Sequence, residues 1–333
     1  MKRSITLPLL IVSAVLAAAC GGGTAPSGTV VLYSGRTEEL VGPLLERFEA
    51  ESGIEVDVRY GSSPEMAATL VTEGESSPAD LYYAQDPASL GAVDSLLAPL
   101  PEEILGLAPA EFNDPNGRWV AITARSRVLA FNPANVSEAE LPATVHDLTD
   151  PRWRGRIGVA PTNGSFITFV SAMLLLEGEE ATREWLEGLA ANEPVTFDGN
   201  SPIAAAIDAG DIDLGLINHY YLLQLGAEQG TRTAQNYFFP EPNAGSLVMP
   251  SGIGRLATAP NPEAADALIE FLLSEESQAY FAETNFEYPV AADAPAPEGA
   301  PALSSLSSPQ LTSVDLASVL DQATDLIAAS GLV

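Results

Sequence analysis

Tyr220 and Tyr221 stand side by side in DLGLINHYYLLQL (residues 213–225), where an apolar run gives way to an Asn-His pair. Neighbouring side chains of a strand point to opposite faces, so such a pair should put one phenol in the core and one outside. Tyrosine is commonly half-buried, and packing accounts for the pair as well as a binding role does. Other turns carry groups that could hold an anion. YSGRTEE (33–39) offers Gly35 for an unusual turn, Arg36 to face an anion and Thr37 to cap a helix. PTNGSF (161–166) sets Asn163, Gly164 and Ser165 ahead of an apolar helix. DGNSP (198–202) places Asn200 before Ser201 as N-cap and Pro202 as first helical residue. Asn218 leads directly into the tyrosine pair. Free N–H groups at helix starts make ready anion sites. One such turn is only a cap; several aimed at one cleft would be more. Arg125 and Arg127 alternate in TARSR and so share one face of a strand.

The elements that would position these groups alternate along the chain. VVLY (30–33) reads as a buried strand, residues 37–50 as an amphipathic helix and IEVDVRY (54–60) as a second strand, which is a βαβ opening. A helix over 64–73 and a strand at ADLYY (79–83) follow, then a long extended run, WVAITARSRVLAF (119–131), long enough to cross between lobes. A second alternating set comprises strands at 155–160, 194–199 and 213–218 with helices at 165–178 and 201–210. Residues 245–256 suggest a return strand and 262–284 one long amphipathic helix. A Pro/Ala/Ser-rich connection (292–309) precedes a terminal helix over 316–329. In an open α/β sheet, ligands sit beyond the carboxyl ends of the strands, where all four turns fall.

The N-terminus carries Lys2 and Arg3, an apolar run too short for a spanning helix of roughly 20 residues, and three alanines before Cys20. This is a secretory leader ending in a lipobox-like motif, so residues 1–20 are expected to be a signal segment, with Cys20 lipidated and 21–28 a flexible tether. No cysteine follows Cys20, which excludes disulfides and thiolate metal sites; His146 and His219 alone cannot build a zinc cage. The formal net charge is -31, and Lys2 is the only lysine. Such a surface repels nucleic acid and anionic membranes. A single core stops growing at roughly 250–300 residues, so the 333-residue chain suits two lobes. The expected division is 29–125 completed by about 251–300, against 126–250, with 301–333 as a C-terminal connection and helix.

These segments resemble the periplasmic ferric-ion-binding proteins of ABC import systems. LYSGR, ADLYYAQDPASL, GRWVAITARSRVLAFNP, PTNGSF, INHYYLLQL and EFLLSEESQAYFAETNFEYPV carry the likeness, from about residue 30 to residue 290. The resemblance implies two α/β lobes joined by crossing strands, with Fe³⁺ and a synergistic anion, phosphate or carbonate, in the cleft. It implies that Tyr220 and Tyr221 bind iron as phenolates and that Asn163, Gly164, Ser165, Asn200, Asn218 and Arg125 hold the anion. Ferric ion is hard and prefers anionic oxygen, and a phenol of pKa near ~10 ionises at neutral pH beside such a charge. Two positions depart from the family pattern: Thr37 stands where the best-known members carry a histidine ligand, and Gln85 where they carry a glutamate. Asp86 or Glu38, or water and anions, would fill the first-lobe side. Tyr33 and Tyr83 are reserve candidates, and Tyr82-Tyr83 is expected to place one ring in the core and one at the cleft rim.

The resemblance further implies a permease partner, an extracytoplasmic location and a monomer. A competing reading is a binding protein for a phosphorylated or phosphonate solute, which would keep the anion residues and use the tyrosines as aromatic walls. An enzyme is disfavoured: the chain has no Ser/His/Asp arrangement, no nucleophilic cysteine after Cys20 and no phosphate-binding GxxxxGK[ST] loop. His219 is expected to orient backbone or to face outward.

Overall fold

The computed structural model describes residues 28–291 and 294–333. The leader, Cys20 and the tether up to residue 27 lie outside the described residues. The chain opens with β1 (Thr29–Ser34), whose Val30 and Leu32 are fully buried, and α1 (Glu38–Ser52). Helix α1 buries Val41, Leu44, Leu45 and Phe48, the spacing of one helical face, and stops at Gly53 in the left-handed region at φ 71°. Then come β2 (Glu55–Tyr60), α2 (Ser63–Glu73), β3 (Leu81–Ala84), α3 (Pro87–Ala92), α4 (Glu102–Leu105) and β4 (Trp119–Phe131). The next group is β5 (Ile157–Val159), α5 (Gly164–Glu177), α6 (Glu179–Ala191), β6 (Val195–Thr196), α7 (Asn200–Ala209), β7 (Leu214–Asn218), α8 (Tyr220–Gln229) and β8 (Gln235–Tyr237). The chain finishes with β9 (Val248–Arg255), α9 (Pro262–Leu272), α10 (Glu275–Glu283), β10 (Tyr288–Pro289), α11 (Ser313–Ser318) and α12 (Leu320–Ser330).

Strand order is β2-β1-β3-β9-β4-β7-β5-β6, with β10 and β8 as further neighbours of β4. All 13 residues of β4 are buried, and the strand serves two sheets. Up to Ser126 it runs antiparallel to β9, and Ala124 and Thr123 also face β10. From Arg127 onward it runs antiparallel to β7 and then β8. Around β1–β3 and β9 the sheet packs on α1, α2 and α9; around β5–β7 a second set of buried residues packs on α5, α6, α7 and α12. The result is a mixed α/β, two-lobed architecture hung on one shared strand. The C-terminal helices touch both sides. Helix α11 lies so close on α3 that a Cβ on Gly91 would sit 2.4 Å from Ser313 O, while Ala323, Leu326 and Ile327 of α12 pack with residues of α5 and α6.

Three local expectations change. The single long helix over 262–284 is two, because Ser274 takes the extended conformation and its Oγ accepts from Ser277 N at 3.3 Å, starting a new helix. The terminal helix begins earlier, at Ser313 behind the Thr312 cap, and breaks at Val319. Helix α6 was not expected from the sequence, although Thr182, Trp185, Leu186 and Leu189 make a clear buried face. Its strongly acidic opposite face dilutes the apolar signal.

Candidate ligand-binding site

Tyr220 and Tyr221 open a helix and do not continue the strand that ends at Asn218. His219 already has helical dihedrals, and α8 starts at Tyr220. A helix turns about 100° per residue instead of 180°, so adjacent side chains can lean the same way. The two rings stack with centroids 4.2 Å apart; Tyr220 is buried and Tyr221 half-buried. Burial, and then the neighbouring Tyr221, push the Tyr220 phenol well above its usual value, against the pull of Arg36 and Arg125. Negative charge developing at this helix start is favoured by the helix dipole.

Three arginines are buried around these rings: Arg36, Arg125 and Arg127. Arg36, on the turn after β1, donates from Nη2 to Glu287 Oε2 at 2.6 Å. Burial opposes its charge, yet Glu287 and the phenols of Tyr83, Tyr220 and Tyr221 hold it above the ordinary arginine range. The turn is tight: Gly35 N donates to Tyr83 O at 2.7 Å, and a Cβ at Gly35 would fall 2.1 Å from Ser63 Oγ. Arg125 is fully buried and none of its three guanidinium nitrogens has a hydrogen-bond partner; its Nη1 stands 3.9 Å from Glu287 Oε1. Glu287 Oε1, the Tyr83 hydroxyl and His219 Nε2 are likewise buried without a partner. Ser251, beside Tyr83, gives its proton to Ala84 O instead (3.1 Å). Burial raises the Tyr83 phenol to about 12. Phe286, the residue before Glu287, holds a left-handed φ of 57°, a strained conformation for a bulky side chain.

The asparagines form a separate, closed set. Asn163 caps α5, its Oδ1 accepting from Ser165 N (3.0 Å) and from Asn200 Nδ2 (3.3 Å). Arg127 Nη1 donates to Asn200 Oδ1 (3.4 Å) and Asn218 Oδ1 (3.0 Å), and its Nη2 to Leu216 O (2.9 Å). Asn218 Nδ2 returns to Ser165 Oγ at 3.1 Å, closing the ring. Asn200 is therefore the first residue of α7, behind Gly199, and its side chain braces the ring where Ser201 had been expected to cap the helix. Burial lowers Arg127 to about 9, so it stays charged at neutral pH. The hub of this set is Arg127 and not Arg125, which lies among Arg36, Tyr220, Glu287 and Asp86.

The chain matches the family of bacterial extracellular solute-binding proteins over residues 59–309. It belongs to that family. A Fe(3+)-binding periplasmic protein of Serratia marcescens is 34% identical over 97% of this chain and 96% of its own length. The major ferric iron-binding protein of Neisseria meningitidis serogroup B is 30% identical over 96% of this chain and 98% of its own. Iron-bound HitA from Pseudomonas aeruginosa superposes with a TM-score of 0.86 at 35% identity, covering 91% of this chain and 99% of that one. These relatives are binding proteins and not enzymes. Among the described residues no helix is long and apolar enough to cross a membrane.

In this solute-binding protein the first-lobe turn contributes unequally. Arg36 faces the site, but Thr37 is exposed, and its side chain makes no cap bond to α1. Glu38 is exposed as well. Gln85 is half-buried. Asp86 is buried but used as the cap of α3, accepting from Ser89 N (2.8 Å) and Ser89 Oγ (2.9 Å). Burial raises its carboxyl above the usual range. Its Oδ2 also lies across from the start of α5, 3.8 Å from where a Cβ on Gly164 would be. Tyr33 points away from the cleft: its hydroxyl bonds the Glu73 carboxylate at 3.1 Å, under the Arg59 guanidinium. Tyr82 is packed, donating to Ser63 O at 2.8 Å, which leaves Tyr83 as the ring of that pair turned to the site. His219 does not face outward. It is fully buried, stacks on Tyr288 at 4.5 Å, and accepts from Ser126 N through Nδ1 (3.3 Å). Burial lowers it to about 3, which keeps the ring neutral. Glu287 and the hub role of Arg127 were missed from the sequence. A carboxylate between Phe286 and Tyr288, in an otherwise apolar stretch, was the available signal. Among the described residues no group of three or more His, Cys, Asp or Glu could hold a metal ion.

Proposed function

We propose that the chain captures ferric iron outside the cytoplasm and hands it to the permease of an ABC importer. The observation that carries this reading is the stacked Tyr220–Tyr221 pair at a helix start, beside a fully buried Arg125 with no partner for any guanidinium nitrogen. Two phenolates offset two of the ion's three charges and supply the hard oxygen donors it prefers. An oxyanion such as phosphate or carbonate, accepting from Arg125 in the two-pronged geometry guanidinium favours, would complete the shell. Glu287 Oε1, also unpartnered, would serve the first-lobe side in place of the absent histidine and glutamate. The relatives' printed names support the choice of iron. A phosphonate solute is the weaker reading, since Asn163, Ser165, Asn200 and Asn218 already direct hydrogen bonds at one another. The lobe division at 125/126, with 251–300 returning to the first lobe, is our reading too; the partner change of β4 between Ser126 and Arg127 supports it.

Protein purified from iron-containing medium should hold about one Fe³⁺ per chain by metal analysis and show a visible phenolate-to-iron band. Tyr220→Phe and Tyr221→Phe keep ring volume and remove the donor oxygen; together they should abolish the band while the protein stays folded. A double variant with parental colour and iron content would sink the assignment. For anchoring, we expect lipid at Cys20 and a monomer in solution. Membrane fractionation of Cys20→Ser should then move the protein to the soluble fraction or leave it unprocessed.

A further inference from the structure

One cavity contains none of the residues of the candidate site. It encloses about 590 Å³ and is walled by Phe112, Trp119, Leu247, Pro250, Leu306 and Leu316 together with polar residues of the C-terminal connection. No charged side chain lines it among the described residues, in a chain whose formal net charge is -31. Two buried polar groups in its wall have no partner: the indole Nε1 of Trp119, 2% exposed, and the hydroxyl of Ser313, 4% exposed. The Cε3–Cζ3 edge of Trp119 is pressed on Gly252, where a Cβ would come within 2.7 Å, so the ring is fixed with its N–H on the opposite edge. A buried donor without a partner is unfavourable, and a site that keeps two such groups is short of a partner.

We propose that this cavity is a second binding site, for an uncharged small molecule with an apolar body and a hydrogen-bond acceptor. The volume falls in the range of about 300–1,000 Å³ typical of small-molecule pockets. A charged ligand would be buried with no counter-charge, which is strongly unfavourable. The walls come from both sides of the shared strand. Trp119 and Pro250 belong to the paired β4 and β9, Leu247 lies just before β9, and Leu306 belongs to the connection tied down by Val248 N donating to Ser308 Oγ at 2.9 Å. Ser313 opens α11, which rests on α3, while α12 beyond it rests on α5 and α6. Movement of one lobe against the other therefore reshapes the cavity, and its occupancy is coupled to that of the main cleft. Coupling of this kind is reciprocal.

The test uses the whole soluble protein and Nile red, an uncharged aromatic probe with a carbonyl acceptor. Titration of iron-free protein should give a saturable, one-to-one fluorescence rise. Trp119→Phe, which removes the donor and keeps a ring, should weaken probe binding about two- to tenfold. Leu306→Trp should fill the cavity and weaken binding by about tenfold or more; Ser304→Trp at the exposed mouth repeats the blockade should Leu306→Trp fail to fold. Tyr220→Phe/Tyr221→Phe protein should bind the probe as the parent does, which separates this site from the iron reading. Iron loading of the parent should shift the probe Kd about fivefold or more. A non-saturable signal, or one indifferent to both bulky variants, overturns the site; equal Kd values with and without iron overturn the coupling.

Discussion

On one flank of the cleft, Asn163, Ser165, Asn200, Asn218 and Arg127 bond one another in a ring that leaves Arg127 Nε unpartnered. On the other, Arg125, Tyr83, Glu287 Oε1 and His219 Nε2 are buried as deeply and have no partner. Arg125 and Arg127 differ by two residues on the same strand face, so local environment and not chain position separates them. A ring that satisfies itself contributes rigidity with or without cargo. A group of buried orphans contributes little until something charged arrives, and then each hydrogen bond it forms discriminates in favour of that occupant. On the proposed reading, the same residue type serves as scaffold at 127 and as receptor at 125.

The sharpest way to break this contrast is to replace each arginine by methionine. Arg127→Met should destabilise the iron-free protein by about 1–3 kcal/mol in chemical denaturation, because it leaves the buried oxygens of Asn200, Asn218 and Leu216 short of a donor. Arg125→Met should leave that stability unchanged or higher and lower iron retention by about tenfold or more in a chelator competition, the loss of one charge-assisted contact. Equal stability losses in the two variants would erase the distinction between the flanks.

A smaller effect is expected at His219. Its folded value is depressed to about 3, below the unfolded value near 6.5, so below pH 6.5 the unfolded chain binds the extra proton. Stability should then fall with pH by up to about 1.4 kcal/mol per pH unit between roughly 6.5 and 3. His219→Asn should remove that part of the slope, read as the difference between the two denaturation series; parallel series would mean that the ring is protonated in the fold. The smallest effect should be at Thr37. Exposed and uncoupled from the cap, Thr37→Ala is expected to leave iron affinity within about twofold by the same competition, as surface changes away from such contacts do.

The long elements were legible because their signals are local. The 13 residues of β4 are buried throughout and were read with their observed bounds. The helical start at Tyr220 was not legible, since Asn-His-Tyr-Tyr carries no capping residue that bonds α8. The split at Ser274 was hidden by an apolar spacing that continues across the break. Long-range pairing was the least accessible part. Arg36 meets Glu287 across 251 residues of sequence, and nothing near either residue announces the other. The turn motifs named Asn163, Asn200 and Asn218 as site residues, but whether they would face a ligand or each other depends on how α5, α7 and β7 converge.

The division of β4 has a mechanical side. Arg125 lies opposite Met249 in one sheet and Arg127 opposite Asn218 in the other, so β4 changes partner between two like charges. Their mutual repulsion acts across this point, where the Arg127 guanidinium is fastened to Asn200, Asn218 and Leu216 while that of Arg125 is bonded to nothing. On the proposed ferric reading, an ion cluster held from both lobes would act as a splint. Letting go of the cargo and freeing the lobes would then be a single event, and a transporter that pries them apart would have no need to reach the metal itself.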